Sequence, residues 1–301
     1  MEYSIGSINM KRMGLTAITK RDFEKIAKMI VDEKLDVVAL KEIFSEGKAL
    51  KRLLEKLKYY VQHELYDWDV CFPDPKETVN FKPTGETYAY IWNKKKFKLI
   101  EFTKLGSKRT FTPGIIKKDD ARVDPSVFVR PPFYIRLQPI NGGFGELRLL
   151  NIHIIHGEGS TEINKREAEF EYLVKNVYPG ISSRRYGSNR ASYTIAMGDY
   201  NLNIMSSNVM VEAKTAQIKP NYFIEEDNIN IVTIQDQLTT LKESNGYANN
   251  YDHFTYSPER SKFQNVSCRT IDAVQKYCGG DFNEYREKIS DHLPIVITIQ
   301  I

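Results

Sequence analysis

Hydrophobic and polar positions change period several times along this chain. Residues 4–10 form a short apolar run, and a helical spacing opened by Thr19 then places Phe23, Ile26, Ala27 and Ile30 on one face. Residues 36–40 are a compact run with adjacent valines, the pattern of a strand covered on both sides. After a turn at Glu46 and Gly47, leucines at 50, 53, 54 and 57 return to helical spacing. The opening thus predicts strand, helix, strand, helix. Beyond it strands dominate, at residues 88–92, 97–102, 133–138, 146–155, 194–197, 254–257 and 294–301, with helices over 164–177 and 281–288. Several of these strands are apolar on both faces. The arrangement that covers both is a four-layer α/β sandwich, in which two packed, mainly antiparallel β-sheets are flanked by helices. Residues 104–131 and 203–250 carry turn formers and little periodicity and are predicted as long loops.

No repeat, low-complexity tract or Pro/Gly/Ser-rich linker divides the 301 residues, which predicts a single domain over 1–301. An apolar content of 41% suffices for a globular core, and a net charge of +4 is too small for binding polyanions through overall charge. Any polyanion site must be local. Between residues 93 and 136, twelve Lys and Arg stand against four acidic side chains, the footprint of a phosphate-backbone track or else of a solvated loop. Arg184, Arg185 and Arg190 form a second basic cluster ahead of the strand at 194–197, predicted at the surface away from that strand's far end. Cys71, Cys268 and Cys278 are odd in number and form no C-x-x-C pair, so neither a disulfide framework nor a zinc ribbon is indicated. The first ten residues lack a signal-peptide pattern and no apolar stretch approaches ~20 residues, so a cytoplasmic location without a membrane span is expected.

Candidate chemistry gathers where the apolar runs stop. Asn9 ends the first, Glu42 follows the second, and Asp199 with Asn201 follows the run at 194–197. Strand ends are where α/β folds tend to build sites. Singly, each of these residues is equally well a turn former or helix cap; four together favour a site. The five histidines divide by context. His63, beside Gln62 and Glu64, reads as a surface residue, His156 before Gly157 as a turn residue, and His253 beside Asp252 as either solvent-facing or lining a groove. His153 sits inside Asn151-Ile-His-Ile-Ile, where a half-buried imidazole needs a hydrogen-bond partner, as a core histidine also would. His292, in Ser290-Asp-His-Leu-Pro just ahead of the last strand, is the leading candidate.

The ordered set Ser7-Ile-Asn9, Leu40-Lys-Glu42, Asn151-Ile-His153, Gly198-Asp-Tyr-Asn201, Tyr251-Asp252-His253 and Ser290-Asp-His292-Leu-Pro resembles the endonuclease/exonuclease/phosphatase superfamily across nearly the whole chain. Within it, Asn9-Met-Lys-Arg-Met-Gly14, Glu86-Thr-Tyr88, Arg130-Pro-Pro and the Thr239-Thr240 pair are most similar to the deoxyribonuclease I branch. The resemblance implies a divalent-metal-dependent phosphodiesterase. Glu42, Asn9 and Asp291 would hold Mg²⁺, with Mn²⁺ or Ca²⁺ able to substitute or assist, in keeping with the preference of Mg²⁺ for oxygen ligands. Asp252 would orient His292, and the pair would prepare a water, positioned by Asp199, for attack on phosphorus. Asn201 would donate its amide hydrogens to a phosphate oxygen. Arg130 and Lys41 would add phosphate contacts, and His153, paired with Glu86, would face the phosphate or leaving group.

Two positions depart from the family's pattern. Lys41 replaces the usual Gln before the metal carboxylate, and His253 stands where the deoxyribonuclease I branch usually has Arg. Neither removes a catalytic group, so an active enzyme is expected. DNA is the leading substrate ahead of RNA, cut to 5′-phosphate and 3′-hydroxyl ends as the resemblance implies, with the protein acting as a monomer. A hydrolase of a phosphoinositide, a sphingomyelin-like lipid or another small phosphoester is the alternative. A non-catalytic nucleic-acid-binding or protein scaffold is the third reading, disfavoured by the retention of every site residue.

Overall fold

The computed structural model describes residues 1–60, 66–74, 85–103, 110–117, 124–141, 145–186, 191–204 and 217–301. One sheet holds β1 (Glu2–Met13), β2 (Val37–Ile43), β3 (Trp68–Cys71), β4 (Thr87–Asn93), β13 (Asn265–Thr270) and β14 (Ile295–Gln300), in the order β13-β14-β1-β2-β4-β3. The other holds β5 (Phe97–Leu99), β7 (Phe133–Pro139), β8 (Glu146–His153), β9 (Ser192–Asp199), β10 (Asn221–Ile224), β11 (Ile229–Ile234) and β12 (Asp252–Tyr256), in the order β10-β11-β12-β9-β8-β7-β5. A two-residue strand, β6 (Gly114–Ile115), also pairs with β7. Each sheet contains one parallel pair, β1 with β2 and β8 with β9, among antiparallel neighbours. The sheets are therefore mixed, and mainly antiparallel as predicted.

Alternation sorts the side chains into layers. Tyr3 and Ile5 of β1, Val37 and Ala39 of β2 and Tyr90 of β4 meet Leu147, Leu149, Ile195, Met197 and Phe254 between the sheets. The opposite face of the first sheet, with Ile8, Val38 and Leu40, packs under α1 (Phe23–Asp32), α2 (Leu50–Tyr60), α4 (Ala273–Cys278) and α5 (Phe282–Lys288). The outer face of the second sheet, with Leu150, Ile152 and Ala196, packs under α3 (Ser160–Tyr172) and the helical turns that extend it to Ser182. These are the four layers that doubly apolar strands require.

Some expectations need correction. Thr19 does not open α1; it belongs to a one-turn helix, Ala17–Lys20, and the extended Arg21 separates that turn from α1, which Asp22 caps by accepting from Lys25 N. Residues 203–250 are not one loop, because β10 and β11 extend the second sheet within them, while 205–216 lie outside the described residues. Of the predicted loop at 104–131, residues 104–109 and 118–123 lie outside the described residues, and Thr110–Thr112 pairs with Phe102–Thr103. His63 and Arg190 also lie outside them. Cys71, Cys268 and Cys278 are free thiols. Among the described residues, no helix is long and apolar enough to cross a membrane.

Candidate active site

Parity and chain direction bring the candidate residues to one end of the sandwich. The inward-facing odd positions of β1 and β2 end in Asn9 and Lys41, which are opposite one another in register. In the facing sheet His153 lies opposite Asp199, and Asp199 opposite Asp252, so three polar side chains sit side by side across β8, β9 and β12. Both parallel pairs finish here, while β4, β12 and β14 begin here, bringing in Glu86, Asp252 and His292. Asn151, one inward position before His153, spans the two sheets by donating to Leu40 O at 2.9 Å and Ala89 O at 3.3 Å. Gly198 permits the close approach of β9 to β8: a Cβ there would lie 1.8 Å from Ile152 O. The ladder between β1 and β2 is interrupted after Asn9, and Lys11, Arg12 and Glu42 all have left-handed backbone (φ 44°, 51° and 57°). Such bulges re-aim side chains beside sites, and here they swing Glu42 out of strict alternation.

A cavity of about 910 Å³ opens at this end, lined by Glu42, Glu86, His153, Asp199, Asn201, Asp291 and His292, among others. Two imidazole–carboxylate pairs define its floor. His292 Nδ1 donates to Asp252 Oδ2 at 2.7 Å, and His153 Nδ1 to Glu86 Oε1 at 2.5 Å. Both rings then present Nε2 to the same atom, Asp199 Oδ2, at 3.6 Å each. Backbone bonds hold the pairs in place. Thr239 Oγ1 accepts from the Tyr251 and Asp252 amides, and Ser290 Oγ donates to Asn9 O while accepting from His292 N. Tyr88 OH donates to Arg130 O and accepts from His153 N.

Electrostatics follow from this crowding. Burial opposes a charge on His292, but Asp252 and Asp199, then Asp291, outweigh it and raise its pKa to about 10. Burial likewise opposes ionisation of Asp199, and His292, His153 and Lys41 overcome it, holding the carboxyl below its ordinary range. Glu86 is held low by His153 and Arg130 against the same burial penalty.

No protein-family model matches the chain, and no curated protein matches its sequence. Solved structures do resemble it. An endonuclease/exonuclease/phosphatase from Bacteroides vulgatus superposes with a TM-score of 0.55 at 13% identity, over 100% of this chain and 99% of that one. An endonuclease/exonuclease/phosphatase family protein from Leptotrichia buccalis gives 0.52 at 16% identity, over 99% and 100%. D. rerio TDP2 complexed with a single-strand DNA product gives 0.53 at 12% identity, over 100% and 99%. The fold is that of the endonuclease/exonuclease/phosphatase proteins.

Within this fold, three predicted ligands sit differently from expectation. Asn9 does not offer its oxygen to the cavity. It is fully buried; Oδ1 accepts from Lys11 N at 2.9 Å, and Nδ2 donates to Glu42 Oε1 and Asp199 Oδ2 at 3.0 Å each, so it fastens two carboxylates together. Lys41 does not reach the cavity as a phosphate contact either. It has no exposure, its Nζ donates to Ser7 Oγ at 2.6 Å, and Asp252 Oδ1 lies 3.9 Å away; burial lowers its pKa, with Asp252 opposing. Arg130 lines the cavity, yet its bonds run to Glu86 Oε2, His153 O and Ile154 O, so it braces the His153 pair. Asn201 keeps its place: its amide donates one hydrogen to Ile154 O, its backbone N–H goes to Asp199 Oδ1, and it lines the cavity.

For the metal, the donor set fits a hard cation. Glu42 and Asp291 both line the open cavity, Glu42 oxygens each accept one hydrogen bond and retain a lone pair, and Asp291 is 37% exposed with Lys11 Nζ at 3.4 Å. Two carboxylates beside water are what Mg²⁺ ordinarily takes. Ligand atoms of Asp199, Asp252 and His292 also lie within 4.8 Å of one another. There, however, the Asp252–His292 hydrogen bond accounts for the closeness, and a cation would compete with the imidazole's proton.

Among the described residues, the basic side chains of the segment at 93–136 do not line up as a track at the site. Lys94 and Lys96 follow β4, at the end away from Glu86, and pair with Asp67 and Asp36. Arg136 is buried against Glu146. Lys104, Lys108, Arg109, Lys118 and Arg122 lie outside the described residues. His253 is neither solvent-facing nor in the groove: it points to the outer layer, its ring nitrogens against Gln235 O and Leu202 O. Five cavity-lining residues escaped the sequence reading: Leu15, 54% exposed at the rim, Thr16, Phe44, Ser45 and Leu241. His156, read as a turn residue, and Tyr251, quoted only within its motif, line the cavity as well.

Proposed function

We propose that this chain is a divalent-metal-dependent phosphodiesterase, a single domain over 1–301 that hydrolyses DNA to 5′-phosphate and 3′-hydroxyl ends. The observation that carries the reading is the convergence of two histidine–carboxylate pairs on one Asp199 oxygen in an open cavity that also holds Glu42 and Asp291. Proton transfer to and from a phosphate ester needs such groups. His292, fixed by Asp252, takes the proton of a water that Asp199 orients. The water oxygen bonds to phosphorus as the bond to the leaving oxygen breaks. His153, held by Glu86, stands beside the same carboxylate and serves the phosphate or the leaving oxygen. Asn201 offers its second amide hydrogen to a non-bridging oxygen. Glu42 and Asp291 would hold the metal, which when bound supplies positive charge for the phosphate oxygens and opposes the carboxylates that keep His292 protonated. DNA is favoured because the fold accommodates it in TDP2, whose structure carries a single-strand DNA product.

The test is cleavage of supercoiled plasmid, linear duplex, single-stranded DNA and structured RNA with Mg²⁺, Mn²⁺ or EDTA. Wild type should nick plasmid only with metal, and His292→Ala should lower the rate by about 10²–10⁴. Undiminished cleavage by the variant would sink the assignment of His292. One feature favours a second reading: Leu15, Phe44 and Leu241 line the same cavity and suit an ester bearing an apolar or aromatic group. Turnover of a small or lipid phosphoester without any cleavage of nucleic acid would establish that reading instead.

A further inference from the structure

A second cavity, of about 540 Å³, adjoins the first and shares Arg12 and Thr16 with it. Lys11, Arg12, Lys20, Arg21, Arg286 and Lys288 line it, with Glu287 as its one carboxylate. A third hollow, of about 340 Å³, continues past Lys20, Arg21 and Lys288, with Asp22, the cap of α1, and Glu24, the partner of Lys56, also on its wall.

The positive charges here are held in three ways, and Lys11 is the one paired with a carboxylate, Asp291 at 3.4 Å. Arg21 donates to Arg286 O at 3.2 Å, Glu287 O at 3.1 Å and Lys11 O at 2.6 Å, and Arg286 donates to Asn283 Oδ1, Lys242 O and Ser244 O. Carbonyl and amide acceptors fix these guanidinium groups without cancelling their charge. Arg12, Lys20 and Lys288 are exposed, and among the described residues their side chains have neither a hydrogen-bond acceptor nor a carboxylate partner. Lys56, on the wall of the third hollow, is by contrast paired with Glu24 at 3.0 Å. Helix-end electrostatics explain Arg21, which caps the last carbonyls of α5, and contribute at Lys288, the last residue of that helix. They do not explain Arg12, and at Lys20 they come from the single turn Ala17–Lys20 alone. What remains is a line of unneutralised cations that starts at the catalytic cavity and leads away from it.

We infer that these hollows are a track for the backbone of one polynucleotide strand, with Arg12, Lys20 and Lys288 contacting phosphates beyond the one being cleaved. This rests on the phosphodiesterase reading and makes its substrate a polymer. A small phosphoester would leave the track empty. Phosphate contacts of this kind raise affinity without reading sequence, and they make binding salt-dependent.

The experiment compares wild type with Lys20→Ala/Lys288→Ala on a long single-stranded oligodeoxynucleotide and on bis(p-nitrophenyl) phosphate, with oligonucleotide affinity measured separately by fluorescence anisotropy in EDTA. In the variant, KM for the oligonucleotide should rise several-fold with kcat little changed, and anisotropy should report weaker binding. Between about 50 and 200 mM salt, the slope of log affinity against log salt should shrink by about 1.4, two contacts at ~0.7 each. Hydrolysis of bis(p-nitrophenyl) phosphate should not change. Equal affinity and equal salt slope in the two proteins would overturn the track, as would a parallel loss on both substrates, which marks damage to the active site. A wild type that hydrolyses neither substrate would refute the phosphodiesterase reading, and the anisotropy comparison would still decide the track.

Discussion

A lysine with no solvent exposure needs more than one hydroxyl for company, and Lys41 finds the rest in Asp252, whose Oδ1 has no hydrogen bond of its own. Removing the ammonium would leave Asp252 Oδ1 buried and uncompensated, with His292 on Oδ2 as that carboxylate's remaining partner. Lys41→Met should therefore cost about 3–5 kcal/mol of stability in urea unfolding, and Lys41→Gln less, because an amide still donates. Wild-type stability in the Met variant would show that the ammonium compensates nothing. His292 gives a second prediction. Its pKa is raised from 6.5 to about 10, so its proton stabilises the metal-free fold fully below pH 6.5, and that contribution is lost as pH rises through about 10. The melting temperature of metal-free wild type should fall across this window more steeply than that of His292→Gln; parallel curves would contradict it. At this scale most polar residues that line the candidate cavity were legible, because polar side chains interrupting apolar runs stand out. Their direction was not. Asn9 and Lys41 share the inward parity of Ile5 and Val37, which buries both, and only the bulge at Glu42 turns a carboxylate outward.

Strands with apolar residues on both faces declared themselves, since no solvated arrangement tolerates them. Those missed are half polar. β13, with the sequence NVSCRT, is exposed or partly exposed along its whole length as an edge strand, and β10 is mostly exposed with Ile224 as its one buried residue. Local pattern carries little signal when one face is water. Gly198 shows the reverse, a position where an element admits one residue type. The G-D-x-N match drew notice for its acid and amide, but the glycine is required by backbone, since its missing Cβ would sit 1.8 Å from Ile152 O. Gly198→Ala should separate β8 from β9 and destabilise the protein by more than about 4 kcal/mol, the range of severe backbone clashes. Soluble, cooperatively unfolding Gly198→Ala protein of near wild-type stability would refute that.

For the whole molecule, charge was the feature sequence order misplaced. Of the basic segment at 93–136, Lys94 lies at a far turn, Arg136 in a buried ion pair and Arg130 in the His153 brace, whereas Lys20 and Lys288, distant in the chain, meet beside the site. A linear count cannot see such a patch. If Glu42 helps hold the cation, Mg²⁺ at 100 times its Kd should raise wild-type stability by about 2.7 kcal/mol and do far less for Glu42→Gln; equal stabilisation would place the ion elsewhere. The position of β14 carries a further consequence. It pairs on both sides, with β1 and β13, and the residues just ahead of it supply His292. In order of synthesis it emerges after both neighbours, so a growing chain has Asp252 waiting for an imidazole that has not been translated. The proposed relay closes only as the sheet does. A chain arrested on the ribosome before residue 290 should therefore leave the surrounding nucleic acid uncut, and the same chain released at full length should acquire cleavage and its last sheet pairing together.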